Sequence, residues 1–345
     1  MLPGVSGRSQ RPILVAGPNL AVDRTIEVPE LVVGGVHRAT AADARAGGKG
    51  VNVARALACI GQPALVTGFV GGRTGEALLG MLADEGIACE PVRVAGESRS
   101  CLIVLAPGSV TVLNEEGPTP DPAAWRRFEA LVTARLDPSG RHAPVLVVSG
   151  SFPPGAGGGE AAGLVRLARE RGCPAVCDLS GVQLERALAA GCDLATPNLA
   201  EAEMLLGMDH RELVHSGGES LERAAAAAVA LLAGGPEAVL VTAGAAGAAL
   251  AWRDGAGGSA TVTRFPAPEV AVRNPIGAGD SLTAGVAAGF AAGAELEDAV
   301  RTGMGAAAAS CETFAGGLLD PARAQALSRQ IRPQRAAARA PGRGR

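Results

Sequence analysis

The chain has 345 residues, of which 48% are hydrophobic and 19% are charged, and its mean hydropathy is +0.23. This composition predicts a folded protein with a large core and excludes wholesale disorder. The net charge of −3 and the absence of tyrosine beside two tryptophans and six phenylalanines argue against nucleic acid as the main partner, because that role needs a cationic surface or stacking rings.

Short apolar runs alternate along the chain with segments rich in alanine and leucine. The predicted strands are 12–17, 64–69, 101–106, 144–149, 174–178, 192–196 and 238–243. The predicted helices are 50–60, 74–86, 121–135, 159–171, 182–190, 199–206, 219–233 and 279–293. Strand–helix repetition from about residue 144 onward predicts a parallel sheet between helices, which binds ligands beyond the carboxyl ends of its strands.

Two stretches interrupt this alternation within a main domain expected to span residues 11–320. Residues 25–46 and roughly 88–118 have β-type patterning with frequent Pro and Gly and no long helix. We expect them to form a small sheet that projects from the main domain as a lid. Residues 321–345 contain seven arginines and no acid, which predicts a last helix that frays into a disordered arginine-rich tail.

The cysteines and the N-terminus bear on the location of the protein. Seven cysteines, an odd number scattered along a long chain, are not the disulfide framework of a small secreted protein. The first residues lack the apolar core of a signal peptide, and no run of about 18 apolar residues follows. We therefore expect a cytoplasmic protein without membrane contacts.

The strongest local motif is NPIGAGD at 274–280, which leads directly into a helix of small residues. The backbone amides of Gly277, Ala278 and Gly279 are unobstructed there and converge with the positive end of the helix dipole. Asp280 falls in the first turn of that helix. From this loop alone, its carboxylate serves equally well as a helix cap or as a general base beside an anion.

A second glycine loop, GGKGVN at 47–52, also runs into a helix. Of the 31 basic residues, only Lys49 is a lysine, which suggests that this position needs a compact, flexible cation. The glycines let the backbone approach a ligand, and Lys49 and Asn52 offer donors to it. A plain loop at a helix start is the alternative interpretation.

Together these segments resemble a known family. GGKGVNVARALACIG and NPIGAGDSLTAGVAAG are similar to the two signature regions of the PfkB, or ribokinase-like, sugar kinases. Further similar stretches follow the family's order between about residues 12 and 320, namely GPNLAVD, ESR, LNEEGP, SGSFPPG, TPNLAEAE and VTAGAAGAAL. The resemblance implies an α/β fold, a ribokinase-like three-layer α/β/α sandwich with a mostly parallel central sheet and a small β-sheet lid.

Within the family, the segments resemble the hexose-phosphate branch, which includes 1-phosphofructokinase and tagatose-6-phosphate kinase. This implies ATP-dependent phosphorylation of a hydroxyl of fructose 1-phosphate, tagatose 6-phosphate or fructose 6-phosphate to give a hexose bisphosphate. Asp280 corresponds to the family's general base, and the amides of 277–279 correspond to the anion hole that receives the transferring phosphoryl group. The resemblance assigns the sugar side to Asp23, Gly48, Lys49 and Asn52.

A phosphorylated acceptor needs fixed cations opposite the reacting hydroxyl. Arg99 matches the arginine of the family's T-R segment, and Lys49 is the second candidate. Arg38 resembles the arginine just before the first signature, and Arg45 is a weaker third candidate. Residues beside Arg99 and Arg38 depart from the family's pattern, so the identity of the sugar stays open.

On the nucleotide side, Asn198 and Glu201 match the motif P-N-x-x-E. The resemblance places the asparagine near the phosphates of ATP and lets the glutamate order Mg²⁺, largely through water. Thr242, Gly244 and Gly247 match a loop that contacts the phosphates and the ribose. Without its motif neighbours, Glu201 would be interpreted as a solvated helix carboxylate.

Two alternatives stay open at the level of the sequence. The first is a kinase for an unphosphorylated sugar or a nucleoside on the same fold, and the second is a non-catalytic sugar or nucleotide sensor. The intact Asp280 with its amide loop argues against the sensor. In this family the projecting sheets commonly pair into a homodimer, and we expect the lid to close over the sugar and exclude water.

Overall fold

The computed structural model describes residues 11–137, 143–208, 217–253 and 259–337. In chain order the strands are β1 (Ile13–Asn19), β2 (Ala21–Glu27), β3 (Ala41–Gly47), β4 (Ala64–Val70), β5 (Ala88–Cys89), β6 (Val92–Arg93), β7 (Arg99–Ala106), β8 (Ser109–Asn114), β9 (Val145–Ser149), β10 (Ala175–Asp178), β11 (Leu194–Ala195), β12 (Ala238–Thr242), β13 (Ala248–Arg253), β14 (Ala260–Phe265) and β15 (Gln334–Ala337). The helices are α1 (Lys49–Cys59), α2 (Gly72–Asp84), α3 (Pro122–Arg135), α4 (Gly159–Glu170), α5 (Gly181–Ala189), α6 (Leu199–Leu205), α7 (Gly217–Leu232), α8 (Ala278–Ala292), α9 (Leu296–Cys311) and α10 (Pro321–Ser328).

Each predicted strand and each predicted helix coincides with an observed element. Helix α9 and strands β13 and β14 lie outside the predicted set. The sequence of β13, AALAWR, illustrates the reason, because a short run of alanine and leucine is compatible with a buried helix as well as with a buried strand.

In the described ranges, eleven strands form one large sheet in the order β15-β14-β13-β12-β11-β10-β9-β1-β4-β5, with β6 also paired to β4. All pairs from β12 to β5 and β6 are parallel. The last three pairs, from β12 to β15, are antiparallel. A mostly parallel sheet with a second, small sheet is therefore confirmed.

The central strands are apolar along most of their length because both of their faces are covered, and polar side chains such as Ser149 and Asp178 stand at their carboxyl ends. Ile13 and Val15 of β1 pack in one core cluster with α1, α2 and α8–α10. Leu14 and Ala16, which point the other way, pack in a second cluster with α3–α7. Neighbouring residues thus bury themselves in opposite layers, which confirms the three-layer α/β/α arrangement.

The small sheet has the order β3-β2-β7-β8, and its boundaries differ from the predicted lid segments 25–46 and 88–118. Strand β2 begins at Ala21, four residues before the predicted segment, and only Leu20 separates it from β1. Strands β5 and β6 pair with β4 in the large sheet. Two-residue strands have no periodicity of their own, so only their partner reveals to which sheet they belong.

The C-terminal segment also differs from the prediction. After α10, residues Gln334–Ala337 form an antiparallel edge strand on β14, so the expected fraying is wrong for these four residues. The open edge of β14 supplies backbone hydrogen-bond partners for this strand. The sequence pattern of the preceding helix does not predict that pairing. Residues 338–345 of the predicted tail lie outside the described residues. In the described part of the chain, no helix is long and apolar enough to cross a membrane.

Close packing of α8 on α9 holds the start of α8 in place. A side chain at Gly285 of α8 would come within 2.6 Å of the Gly303 Cα atom of α9, and one at Gly289 within 2.5 Å of the Ala299 side chain. The small residues of α8 therefore allow backbone approach along the helix pair. This contact fixes the position of Asp280, in the first turn of α8.

Candidate active site

The site lies at the carboxyl ends of the central strands. Strand β9 ends at Ser149 and β10 ends at Asp178, and both side chains are buried. The Ser149 hydroxyl donates to Asp178 Oδ2 at 3.1 Å. Lys49, the first residue of α1, donates to Asp178 Oδ1 at 2.9 Å, so the carboxylate joins a strand end to the first glycine loop.

Asp280 is buried beside this pair, with 5% of its surface exposed. The Asn52 amide donates from Nδ2 to Asp280 Oδ2 at 2.8 Å. The pKa of the Asp280 carboxyl is raised to about 7, chiefly by burial and then by the Asp178 carboxylate, while Lys49 and the bond from Asn52 oppose the rise. A carboxyl with this pKa changes protonation state near neutral pH, as a general base requires.

Lys49 lies among three carboxylates. Its ammonium is 2.9 Å from Asp178 Oδ1 and 3.8 Å from Glu201 Oε1. Burial alone would lower the pKa of Lys49, but Asp178, Glu201 and Asp280 raise it above its ordinary value. The ammonium stays charged, and with 38% of the side chain exposed it still reaches the open side of the cluster.

The NPIGAGD loop forms a tight turn in front of α8. Buried Asn274 donates to the Phe314 carbonyl at 2.7 Å and accepts from the Ile276 amide at 2.9 Å. Gly277 has a φ of 86°, which only glycine adopts without strain. A side chain there would also come within 2.7 Å of the Gly316 Cα atom. Both the backbone conformation and the packing therefore require glycine at this position.

The three amides predicted as an anion hole are not equivalent. The Ala278 amide donates to the Pro275 carbonyl at 3.3 Å, because residues 275–278 close a turn. The amides of Gly277 and Gly279 have no hydrogen-bond acceptor in the described part of the chain. They lie at the N-terminus of a 15-residue helix, where an anion is stabilised.

Asp23 lies on β2 in the small sheet and accepts from the Gly48 amide at 3.3 Å. A Cβ atom at Gly47 would come within 2.1 Å of the Asp23 Cγ atom, so the missing side chain makes room for this carboxylate. Burial raises the pKa of Asp23, and the Gly48 amide and the charges of Arg99 and Arg55 oppose the rise. Asp23 in turn influences Asp280 electrostatically, so the two carboxyls share one site.

The predicted phosphate-binding arginines differ in their surroundings. Arg99, the first residue of β7, donates to the backbone carbonyls of Asn19 at 3.1 Å and Glu115 at 3.5 Å. It makes no carboxylate ion pair within the described ranges. Arg45 pairs with Asp43 and lines the same cleft as Asp23. Arg38 is exposed between β2 and β3, and the structure does not bring it to the cluster.

The predicted nucleotide side begins at a helix cap. Asn198 Oδ1 accepts from the Glu201 backbone N–H, and Glu201 Oε2 accepts from the Asn198 backbone N–H, both at 2.9 Å. These two bonds form a capping box for α6. Thr242, at the end of β12, forms an isolated parallel bridge with Asn198. Burial raises the pKa of Glu201 and Lys49 opposes the rise. Two predicted motifs are thus adjacent at one edge of the sheet.

The loop after β12 makes a single tight turn between Gly244 and Gly247. The Ala243 amide donates to the Gly247 carbonyl at 2.8 Å and closes it. A side chain at Gly247 would come within 2.0 Å of the Phe265 carbonyl oxygen, whereas Gly244 faces open space. Gly247 is therefore required by packing, and Gly244 is free to contact a ligand.

Sequence reasoning missed two charged residues of the site. Asp178 is the last residue of a predicted strand, and the rule that ligands bind beyond strand ends would have identified it. Arg55 is only 4% exposed and donates to Asn52 Oδ1 at 2.8 Å. The signal was an arginine among the alanines and valines of a helix face, where a charge needs buried partners.

Comparison with known proteins identifies the family of the chain. The chain matches the family model described as pfkB family carbohydrate kinase over residues 18–323. It is 33% identical to a 1-phosphofructokinase from Rhodobacter capsulatus over 315 residues, and this match covers 91% of this chain and 94% of the relative.

Two solved structures extend the comparison. Phosphofructokinase-2 from Escherichia coli in complex with fructose-6-phosphate is 27% identical, with a TM-score of 0.79 over 93% of this chain and 99% of that one. Arabidopsis thaliana ribokinase complexed with ribose and ATP is 20% identical, with a TM-score of 0.70 over 93% of this chain and 99% of that one, and it shows the fold alone. The predicted ribokinase-like fold is confirmed. Since the family model spans nearly all of the chain, this protein belongs to the pfkB family of carbohydrate kinases, phosphotransferases with an alcohol group as acceptor.

Proposed function

We propose that the chain transfers the γ-phosphoryl group of ATP to a hydroxyl of a hexose phosphate and forms a hexose bisphosphate. One observation carries the proposal. The Asp280 carboxyl, with its pKa near 7, lies in the first turn of α8 beside two amides without an acceptor in the described ranges. A base next to an anion-binding helix start is what phosphoryl transfer to an alcohol needs.

In the reaction, Asp280 takes the proton of the acceptor hydroxyl while the oxygen of that hydroxyl bonds to the γ-phosphorus. The bond from that phosphorus to the bridging oxygen breaks, and ADP leaves with the electron pair. The Gly277 and Gly279 amides and the α8 dipole stabilise the transferring group. The Ala278 amide joins them if its 3.3 Å bond to Pro275 is given up. Asn52 holds the carboxylate in place through its 2.8 Å bond.

We assign the sugar hydroxyls to Asp23 and the loop of Gly48 and Asn52. The cleft lined by Asp23 and Asn52 supports this assignment, because a carboxylate that accepts two hydroxyl bonds orients a sugar ring. We assign the phosphate already on the sugar to Arg99, whose guanidinium has only backbone carbonyl partners in the described ranges. Arg38, which the family resemblance also assigns to the sugar, is exposed and would reach the sugar only by movement or from a second chain.

We assign ATP to the edge formed by the ends of β11 and β12. Asn198 and Thr242 are bridged there, and the turn at Gly244 and Gly247 leaves open space above Gly244. Lys49 lies between this edge and the sugar cleft. Its ammonium, 2.9 Å from Asp178, is in a position to stabilise negative charge that moves from one substrate to the other.

The residues present fit a magnesium ion that keeps most of its water. The described residues contain no group of three or more His, Cys, Asp and Glu that could form a metal cage. Asp178 and Glu201 share one ammonium with Asp280, so the cluster keeps net negative charge. Glu201 would hold Mg²⁺ together with water and substrate phosphates, as this hard cation prefers, and the ion would neutralise phosphate charge.

The relative named 1-phosphofructokinase favours fructose 1-phosphate as the acceptor, and the neighbour in complex with fructose-6-phosphate keeps fructose 6-phosphate as a second candidate. The test is ADP release from ATP with a panel of fructose 1-phosphate, fructose 6-phosphate, tagatose 6-phosphate, fructose and adenosine. We expect the largest kcat/KM with a phosphorylated hexose. Turnover only with an unphosphorylated acceptor, or with none, contradicts the proposal.

Replacement of Arg99 separates a phosphate contact from a structural role. Arg99→Met should raise KM for the hexose phosphate about 10–100-fold with a smaller change in kcat, because one charge-assisted contact is lost. Arg93→Met is the matched control, since this arginine is exposed and pairs with Glu76 away from the cleft. Equal KM values in the two variants would remove Arg99 from the phosphate site.

We further propose that two copies pair through the small sheet. Its edge strand β8 exposes Val110 and Val112 on one face and Leu113, 58% exposed, on the other, and exposed apolar side chains on an edge strand favour a protein contact. Light scattering should find a dimer that Leu113→Glu weakens. Val182→Glu, at an exposed position of α5, is the control. A monomeric wild type contradicts this pairing.

A further inference from the structure

A buried arginine lies directly behind the candidate base. The Arg55 side chain is 4% exposed, and its guanidinium contacts four groups. It donates to Asn52 Oδ1 at 2.8 Å, to the Gly316 carbonyl at 3.1 Å, to Glu85 Oε1 at 3.0 Å and to the Ala46 carbonyl. Its Nε also donates to Glu85 Oε2, so all three guanidinium nitrogens are used, in a planar geometry that a lysine cannot reproduce.

The orientation of the Asn52 amide follows from this contact. An asparagine side chain has one carbonyl oxygen and one NH₂ group, and each points to the opposite side. Because Arg55 occupies Oδ1, Nδ2 faces Asp280 and donates to it at 2.8 Å. If the amide turned over, Oδ1 would face the carboxylate and NH₂ would face the guanidinium, so both contacts would become repulsive.

We infer that Arg55 is a positioning residue for Asp280, which it orients and holds available as a base through the Asn52 amide. The inference rests on the proposed function, since it deepens the role of Asp280. The chain of contacts runs from Glu85 after α2, through Arg55 and Asn52 on α1, to the first turn of α8. None of the sequence motifs contains Glu85, so this support comes from tertiary contact.

The same guanidinium also braces the two glycine loops. Gly316, whose carbonyl it holds, packs against Gly277 so closely that a Cβ atom at Gly277 would come within 2.7 Å of its Cα atom. Ala46 directly precedes the loop that contains Gly47 and Gly48, and the Gly48 backbone N–H donates to Asp23. Arg55 thus links the anion-binding turn to the sugar-side loop, in addition to its contact with Asn52.

Protonation of Asp280 should report on this arrangement. The charged groups that face Asp280 are Lys49 from α1, Asp178 from β10 and Asp23 from β2, with Glu201 of α6 acting through Lys49. The bond from Asn52 favours the ionised carboxylate against burial. If Asn52 loses its orientation, the carboxylate loses this donor, so its pKa rises further.

The test uses Arg55→Lys, which keeps the positive charge beside Glu85 and loses the fork. In wild type and variant, kcat is measured with the best hexose phosphate between pH 5.5 and 9. We expect the acidic limb to move up by about one pH unit, which lowers kcat about ten-fold at pH 6 and about three-fold or less at pH 9. KM for the sugar should change less than kcat at pH 6.

Two further variants separate positioning from general loss of structure. Arg223→Lys is the control, because Arg223 also holds a buried glutamate, Glu203, with two bonds of 2.8 Å and has no contact with Asn52. It should leave the limb in place. In an Asn52→Leu background, Arg55→Lys should move the limb little further, because the pathway is already broken.

An unmoved limb in Arg55→Lys overturns the inference, as does an equal shift in Arg223→Lys or a full additional shift in the Asn52→Leu background. A wild type that turns over no hexose phosphate contradicts the proposed function instead. Arg55 is then tested by thermal unfolding. Arg55→Lys should lower Tm more at pH 9 than at pH 5, and this pH dependence should vanish in an Asp280→Asn background. Its persistence there overturns the inference as well.

Discussion

The charged side chains at the carboxyl edge of the large sheet and those in and beside the small sheet differ in their partners. At the edge of the large sheet, Asp178 pairs with Lys49, and buried Asp280 accepts a hydrogen bond from Asn52. In the small sheet, Arg99 contacts only backbone carbonyls in the described ranges, and Arg38 is exposed. The charged groups of the first region hold one another, whereas these two arginines make no ion pair within the described ranges. Changes in the first should therefore act on kcat, and changes in the second on KM.

Asp280→Asn tests the first region with the largest expected effect. An amide cannot take the hydroxyl proton, so kcat should fall by about 10²–10⁴-fold while KM for the sugar phosphate changes little. Steady-state kinetics at pH 8 measure both constants. Asp298→Asn, an exposed position on α9, serves as the control and should keep wild-type turnover. Near-normal kcat in Asp280→Asn would remove the general base from the proposal.

Gly47→Ala tests the small-sheet side. The added Cβ atom would come within 2.1 Å of Asp23 Cγ, so the carboxylate must move. We expect KM for the sugar phosphate to rise about 10–100-fold, the cost of losing a charged hydrogen-bond acceptor. Gly80→Ala in α2 meets nothing within 4 Å and should leave KM unchanged, with about 0.5–1 kcal/mol more stability. A loss confined to kcat would contradict the assignment of Asp23.

Asp178→Asn tests the electrostatic interaction between the Asp178 and Asp280 carboxyls. After burial, the Asp178 carboxylate is the largest contribution that raises the pKa of Asp280, so its removal should lower that pKa. The acidic limb of kcat should move to lower pH by about one unit, whatever happens to the plateau.

Asp193→Asn is the matched control for Asp178→Asn. Asp193 accepts from the Ala175 amide at 2.8 Å, at the opposite end of β10 from Asp178. This variant keeps an oxygen that accepts from the Ala175 amide and should not move the limb. A limb that rises, or stays, in Asp178→Asn would show that the two carboxyls do not interact as described.

Thermal stability should reveal the same buried charge with the smallest effect. Asp280 has a raised pKa in the folded state, about 7 against an ordinary 3.8. Its stabilising contribution is therefore complete below pH 3.8 and is lost as pH rises through 7. Asp280→Asn should raise Tm by a few degrees at pH 8 relative to pH 4, by comparison with wild type. Tm differences independent of pH would argue against a buried, ionised Asp280.

Much of the fold was predictable because its signals are local. The seven predicted strands and eight predicted helices coincide with observed ones, since strand and helix periodicities are written in neighbouring residues. The pairing of β5 and β6 with β4, and of β15 with β14, was not predictable. These short strands acquire their identity from a partner distant in the chain.

The two glycine loops, the place of Asp280 at a helix start and the family resemblance could all be read from the sequence. These features depend on residues a few positions apart, whose geometry a turn or a first helical turn sets. Asp178 stands at a predicted strand end, but its contact with Lys49, 129 residues away in the chain, forms only on folding. Arg55 is three residues from Asn52, but its partners Glu85 and Gly316 come from distant segments, so its place behind Asn52 could not be predicted from the sequence. Burial and charge depend on what the fold brings together, and these two raise the pKa of Asp280.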